Sequence, residues 1–351
     1  MGSVKDLEVI KDPANDVMGI GRFHFSDRYS IFDWGEMPDH ISGKGAALCL
    51  MGAYCFERLE EMNVKTHYRG LVTDEGEKVP FKELKNPTNI MELDLVNVIH
   101  PETLKKGGRL LYDYSVYTPH LKNHLIPLEI IYRNSLPEGS SIFRRLENKE
   151  LTIEELGLDH YPRPGEQLSK PIFDVSTKLE EKDRYVSWLE AQRIAGLTED
   201  ELMNVKDLLL TVDETITRIA LKAGFVNEDG KIELAFDPKR NLIVVDVVGT
   251  LDECRFTYNG LQVSKEIARR FYRGGHWHSK VKAAKKSAES RGVKDWRRLC
   301  QSNPPCLDPY LKEILEEMYM ATTNMLTGNR FFDAPNMIEA VGKYNEYINV
   351  A

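Results

Sequence analysis

Long apolar runs are missing from this 351-residue chain. No stretch approaches the roughly 20 apolar residues that a membrane-spanning helix needs, so a membrane is not an expected partner. The opening, Met1-Gly2-Ser3-Val4-Lys5-Asp6, has no charged segment followed by an apolar one, and no secretory signal is expected. Asp6 stands where a myristoylation signal on Gly2 would need serine or threonine. Cysteine is scarce: five residues, at 49, 55, 254, 300 and 306, form no CxxC pair and no Cys/His spacing suited to zinc. Reduced thiols in a cytoplasmic protein are the expectation. Positive charge is in deficit, 47 Lys and Arg against 55 Asp and Glu. The resulting −8 argues against nucleic acid as the main partner. Repeats and low-complexity segments are absent. Lys44 between two glycines is not a Walker motif, because the first glycine and the following Ser or Thr are missing.

What is present is an ordinary globular composition, 42% hydrophobic and 29% charged, enough for one large core or two modest ones. Residues 18–25 and 90–98 read as strands, and 45–62 as a helix with Leu48, Leu50, Met51, Cys55, Phe56 and Leu59 on its apolar stripe. Residues 126–133 alternate, with Glu129, Ile131 and Arg133 on one face. Residues 198–223 read as an amphipathic helix with a capping box at Thr198 and Glu201. A hairpin over 230–248 turns at 237–241. The last seventy-five residues are mostly helical, with a basic stretch over 280–298 and a final helix over 309–326. That basic stretch suits a solvated helix or a subunit contact better than RNA. His276-Trp277-His278 has no third ligand nearby to make a metal site. Strands mixed with helices without a regular βαβ rhythm indicate an α+β class.

The hairpin holds the chemistry. Lys231 and Glu233 share a strand face. The return run Leu242-Ile243-Val244-Val245-Asp246-Val247-Val248 has one carboxylate among apolar residues, which needs a cation or donor if buried. Folding at Lys239 brings position 233 opposite about 245, so Glu233 and Asp246 can converge. Two carboxylates and a lysine suit a divalent ion bridged to phosphate. A buried Lys231–Asp246 ion pair, or Asp246 on an exposed edge, fits the residues too.

Asp229-Gly230-Lys231-Ile232-Glu233, with Asp246-Val247-Val248-Gly249-Thr250-Leu251-Asp252-Glu253-Cys254-Arg255-Phe256, resembles the paired signatures of the SAICAR synthetase family. Those signatures are approximately D-x-K-x-E and D-E-x-x-T-P-D-S-S-R-F. Further segments agree in order: Gly2 to Asp6, Ser26 to Asp33, Ile41 to Gly45, Pro127 to Ser140, Ser176-Thr177-Lys178, Ser264-Lys265-Glu266 and Pro304 to Gly328. The chain departs from the pattern at Ser3, Val247, Leu251, Glu253-Cys254 and the 135–138 loop.

The resemblance implies a two-lobed α+β fold with an ATP cleft between lobes and a helical C-terminal extension. The expected parts are a β-rich lobe (1–120), a central ATP and substrate domain (121–275) and the extension (276–351). It also implies an ATP- and Mg2+-dependent ligase of purine biosynthesis. That enzyme joins a carboxyaminoimidazole ribonucleotide to L-aspartate through an acyl phosphate. Lys5, Glu129 and Lys231 would contact ATP, with His124 to Glu129 as the hinge beside adenine, while Glu233 and Asp246 hold the metal. Lys231, Asp229 and Lys178 would be catalytic. Asp27, Arg28, Ser30, Asp33, Lys44, Arg133, Ser140, Arg145, Asp252 and Arg255 would bind or shape the substrate pocket, Arg145 in preference to the adjacent Arg144. On the residues alone, Asp27 and Ser30 could serve only as turn and cap, Lys44 could be a loop lysine, and Arg133 could pair with Glu129. A paralogous ligase using another acid and amine is the alternative activity, a nucleotide-binding scaffold the more distant one. Partners are small molecules, and the C-terminal helices are the candidate interface of a homo-oligomer.

Overall fold

Alternation in the first hundred residues builds an antiparallel sheet. Its strands are β1 (Lys5–Lys11), β2 (Gly19–Phe25), β3 (Tyr68–Val72), β4 (Lys78–Val79) and β5 (Ile90–Leu95), ordered β1-β2-β5-β3-β4. The computed structural model describes residues 4–106, 109–263, 265–293 and 295–350. Between β2 and β3 runs helix α1 (Lys44–Glu61), which buries all six residues of the predicted stripe. The strand expected over 90–98 ends at Leu95. There the backbone leaves its sheet: Asn97 donates to the Asn123 carbonyl, and its own carbonyl accepts from Leu125. Strands β6 (Glu102–Lys106) and β7 (Arg109–Asp113) pair as a separate ribbon.

The second sheet contains β8 (His124–Leu125), β9 (Leu128–Leu136), β10 (Glu166–Thr177), β11 (Val226–Phe236), β12 (Leu242–Val245), β13 (Cys254–Tyr258) and β14 (Leu261–Gln262). β11 is its hub. The first half of β11 pairs with β9 and β13, the second half with β12 and β8. Glu233 faces Val245 across the hairpin, in the expected register. The return strand stops at Val245, short of the expected 248, because Asp246 takes a left-handed conformation (φ 63°) that short acidic side chains tolerate. Val247 and Val248 then turn into the core.

Helices α2 (Ser141–Glu147), α3 (Trp188–Ala195) and α4 (Glu199–Lys222) connect β9, β10 and β11. The Thr198–Glu201 capping box forms as expected from sequence. The chain ends in α5 (Glu266–Tyr272), α6 (His276–Arg291), α7 (Pro309–Thr327) and α8 (Met337–Val350). α7 packs on α1, where the Thr323 hydroxyl donates to the Ala47 carbonyl at 3.4 Å. One apolar cluster joins α1, α4, β9, β11 and α7. Backbone bonds stitch the first sheet to the second, since Val244 N–H donates to the Lys65 carbonyl and His67 N–H to that of Val244. Among the described residues no helix is long and apolar enough to cross a membrane.

Candidate active site

Three lysines and four carboxylates meet where Lys5, at the start of β1, reaches the hairpin. Lys5 Nζ lies 2.7 Å from Asp246 Oδ1. Lys231 Nζ lies 2.9 Å from Glu129 and 3.4 Å from Glu253. Lys178 bonds Glu233 and lies 3.9 Å from Glu129. Charges alternate around this ring except where Glu233 and Asp246 face each other. Burial and then the Asp246 charge push the Glu233 carboxyl well above the usual carboxylate range. Asp246 shifts the other way: burial would raise it, but Lys5, with Lys178 and His67, outweighs that and holds it below the usual carboxylate range. The three ammonium groups are all held above the ordinary lysine value. For Lys231 the first cause is Glu253, while Lys5 and Lys178 are raised by their acids against the burial that opposes them. The lysines keep side-chain exposures of 16% (Lys5), 24% (Lys178) and 35% (Lys231), so a ligand can reach them.

Strand registry explains the second cluster. Asp229 on β11 lies directly between Arg133 on β9 and Arg255 on β13. Arg255 Nε donates to Asp229 Oδ1 at 2.8 Å, and Arg133 lies 3.4 Å from Oδ2. Asp174 on β10 takes the other side of Arg133 at 3.2 Å and Arg145 from α2 at 2.6 Å. The ring of Tyr185 lies under the Arg145 guanidinium at 4.2 Å. Arg133 also reaches the hydroxyls of Ser140 and Ser141, at 3.5 and 3.2 Å. Three guanidinium groups against two carboxylates leave an excess of positive charge. Planar guanidinium forks suit phosphate and carboxylate groups. The β11 backbone must pass close beneath: a Cβ at Gly230 would sit 2.3 Å from the Tyr132 hydroxyl, so only glycine fits there.

A cavity of about 420 Å³ joins the two clusters, lined by Glu129, Arg133, Lys231, Glu253, Arg255 and Arg269 among others. Two pairings expected as alternatives do not form: Asp246 takes Lys5 rather than Lys231, and Arg133 takes Asp174 and Asp229 rather than Glu129. Arg145 is buried beside Arg133, whereas Arg144 points outward towards Glu150.

Residues expected around the substrate from the first lobe behave differently. Asp27 accepts from the backbone of Gly43 and Gly45, fixing the start of α1. The Ser30 hydroxyl accepts from Gly35 N–H, Arg28 pairs with Asp6, and the exposed Asp33 pairs with Lys285 of α6. Lys44 does not reach the cavity. Its side chain is fully enclosed, and its ammonium donates to Asp252 at 2.9 Å. The Tyr319 hydroxyl donates to the other oxygen of Asp252 at 2.8 Å, and Lys265 lies 3.6 Å away. The basic stretch over 280–298 is α-helical only to Arg291, the end of α6; within that helix His278 accepts from Gly274 N–H and stacks on Phe32. Gly2, Ser3 and Ser264 lie outside the described residues.

Sequence reasoning assigned no role to Asp174, Tyr185, Glu253, Lys265, Arg269 or Arg273. Asp174 carries a usable signal, a lone acid between Phe173 and Val175, of the same kind as Asp246 in its apolar run. Among the described residues no three His, Cys, Asp or Glu side chains gather as metal ligands. Glu233 and Asp246 therefore offer two carboxylates, a set that suits a hard divalent ion completing its shell with water and phosphate oxygen.

The model of the SAICAR synthetase family matches residues 14–288. A protein of Archaeoglobus fulgidus named putative phosphoribosylaminoimidazole-succinocarboxamide synthase is 50% identical, covering 99% of this chain and all of that one. The synthase of Thermoplasma volcanium is 28% identical over 94% of this chain and 98% of its own. Among solved structures, a SAICAR synthetase in complex with ADP superposes with a TM-score of 0.58 at 19% identity, covering 96% of this chain and 99% of that one. The Saccharomyces cerevisiae SAICAR synthase complexed with SAICAR gives 0.60 at 21%, covering 94% of each. These two likenesses speak to the fold.

Proposed function

The chain belongs to the SAICAR synthetase family, and from that premise we propose how its two charge clusters divide the work. It is a phosphoribosylaminoimidazole-succinocarboxamide synthase, an ATP-using carbon–nitrogen ligase of purine biosynthesis. It joins the carboxylate of a carboxyaminoimidazole ribonucleotide to the amine of L-aspartate as ATP becomes ADP and phosphate. The observation that carries the division is the alternating ring with its one like-charged junction at Glu233 and Asp246.

In this reading Lys5, Lys178 and Lys231 exchange their carboxylate partners for the phosphates of ATP, beside Glu129. Glu233 and Asp246 would hold magnesium. When bound, that ion neutralises phosphate charge and orients the triphosphate. Arg133, Arg145 and Arg255, set by Asp229 and Asp174, hold the ribonucleotide's anionic groups, so Asp229 acts by positioning. The substrate carboxylate attacks the γ-phosphorus, ADP leaves, and a mixed acyl phosphate results. The amine of aspartate then attacks the acyl carbon, phosphate departs, and the amine gives up a proton as the amide forms. Most of the rate comes from alignment and charge compensation by the lysine ring. The five cysteines are all unpaired, three of them buried, which suits a reducing cytoplasm.

Release of ADP, measured with the ribonucleotide acid and L-aspartate singly and together, tests the assignment. Turnover is expected with both present. No turnover with both, but turnover with another acid or amine, would overturn the substrate assignment.

A further inference from the structure

We propose that Glu253 is a specificity residue of the nucleotide site: as a surplus carboxylate it admits the nucleotide with its divalent cation and disfavours the bare polyanion. This inference rests on the reading of the lysine ring as the ATP site.

Each lysine of the ring already has a carboxylate without Glu253: Lys5 has Asp246, Lys178 has Glu233, and Lys231 has Glu129 at 2.9 Å. Glu253 stands 3.4 Å from Lys231 as a second acid. With it the ring holds four carboxyl groups against three ammonium groups, and Glu253 is the one without a lysine of its own. It also occupies a particular place, lining the cavity together with Lys231 and Glu129 where the nucleotide ring opens towards the arginine cluster. Any phosphate that draws Lys231 away from Glu129 must approach the Glu253 carboxylate.

Unit charges well separated across a hydrated cleft interact by about 0.5 kcal/mol, or about twofold in affinity. Bare ADP carries about three negative charges near this group and its magnesium complex about one, so the penalty is about tenfold on bare ADP and only about twofold on the complex. Glu253 is held in place independently of its side-chain charge, because Lys231 N–H donates to its carbonyl at 3.2 Å. Replacing the side chain therefore leaves the strand pairing intact.

The test is calorimetric titration of ADP into the whole protein, in a chelator and again in excess magnesium. Wild-type protein should prefer the magnesium complex by more than about tenfold. Glu253→Gln and Glu253→Ser should tighten bare ADP about tenfold and change the magnesium complex about twofold, while Glu253→Asp keeps the wild-type preference. Equal shifts in both forms, or a shift in neither, would overturn the inference. So would a wild-type protein that binds bare and magnesium-bound ADP alike, a result needing no variant. If wild-type protein binds neither form, the nucleotide-site reading itself fails, and this inference with it.

Discussion

The lysine–carboxylate cluster of the cleft and the one around Lys44 are built for opposite ends. In the cleft, Lys5, Lys178 and Lys231 are partly exposed and share four acids. At its wall, Lys44 and Asp252 are 0% and 4% exposed and close on each other with Tyr319. The first set can trade its partners for a ligand. In the second the Lys44 ammonium is fully enclosed, and its pairing with Asp252 holds α1 to the segment between β12 and β13. Charge in a motif thus marks importance without saying whether the charge meets a ligand, and exposure decides between the two.

Removing one acid from each cluster should separate them most sharply. Asp246→Asn should abolish turnover, by about 10³-fold or more, since the ring loses half of its proposed metal pair. Its melting temperature should stay near wild type. A collapse in stability would instead make Asp246 structural.

The converse outcome is expected for Lys44→Met. Asp252 would be left buried with the Tyr319 hydroxyl and the more distant Lys265, and removing the close cation of a buried pair costs about 3 kcal/mol or more. Denaturant unfolding measures this. A loss below about 1 kcal/mol, the scale of an exposed pair, would put Lys44 in the same class as the cleft lysines.

Acid sharpens the contrast further. Burial acts against ionisation of Asp252, but Lys265 and Lys44 outweigh it and hold its carboxyl well below the usual carboxylate range. A depressed folded value means that its stabilisation is complete above the unfolded pKa, about 4, and is lost only as pH falls through the folded value. The stability difference between wild type and Asp252→Asn should therefore stay flat from pH 8 to 5 and shrink only in stronger acid. A difference already falling near pH 6 would contradict this. The smallest effect belongs to Lys285→Ala. Its pair with the exposed Asp33 should be worth less than about 1 kcal/mol in a melting curve.

Local signals were readable in the sequence where one element holds all the partners. The Thr198–Glu201 capping box and the register of Glu233 against Val245 each need only a short segment. Apolar spacing likewise located α1 within a residue at each end. The partners of charged residues were not readable, because they come from elsewhere. Asp246 is satisfied from β1, 241 residues earlier, and Arg133 from two different strands on either side of β9. β10 is not legible in the sequence because its first half, Glu166-Gln167-Leu168-Ser169-Lys170-Pro171, is polar and interrupted by a bulge. Lys44 showed the limit of motif reading, since a lysine between two glycines suggests a loop while burial under α7 makes it structural.

Melting curves with and without saturating magnesium–ADP, on wild type and Asp246→Asn side by side, test the cleft ring most directly. A ligand at a hundred times its Kd stabilises a folded protein by about 2.7 kcal/mol, so wild type should melt higher by several degrees and Asp246→Asn should not respond. An equal rise in both proteins, or none in wild type, would contradict the assignment of that ring to the nucleotide.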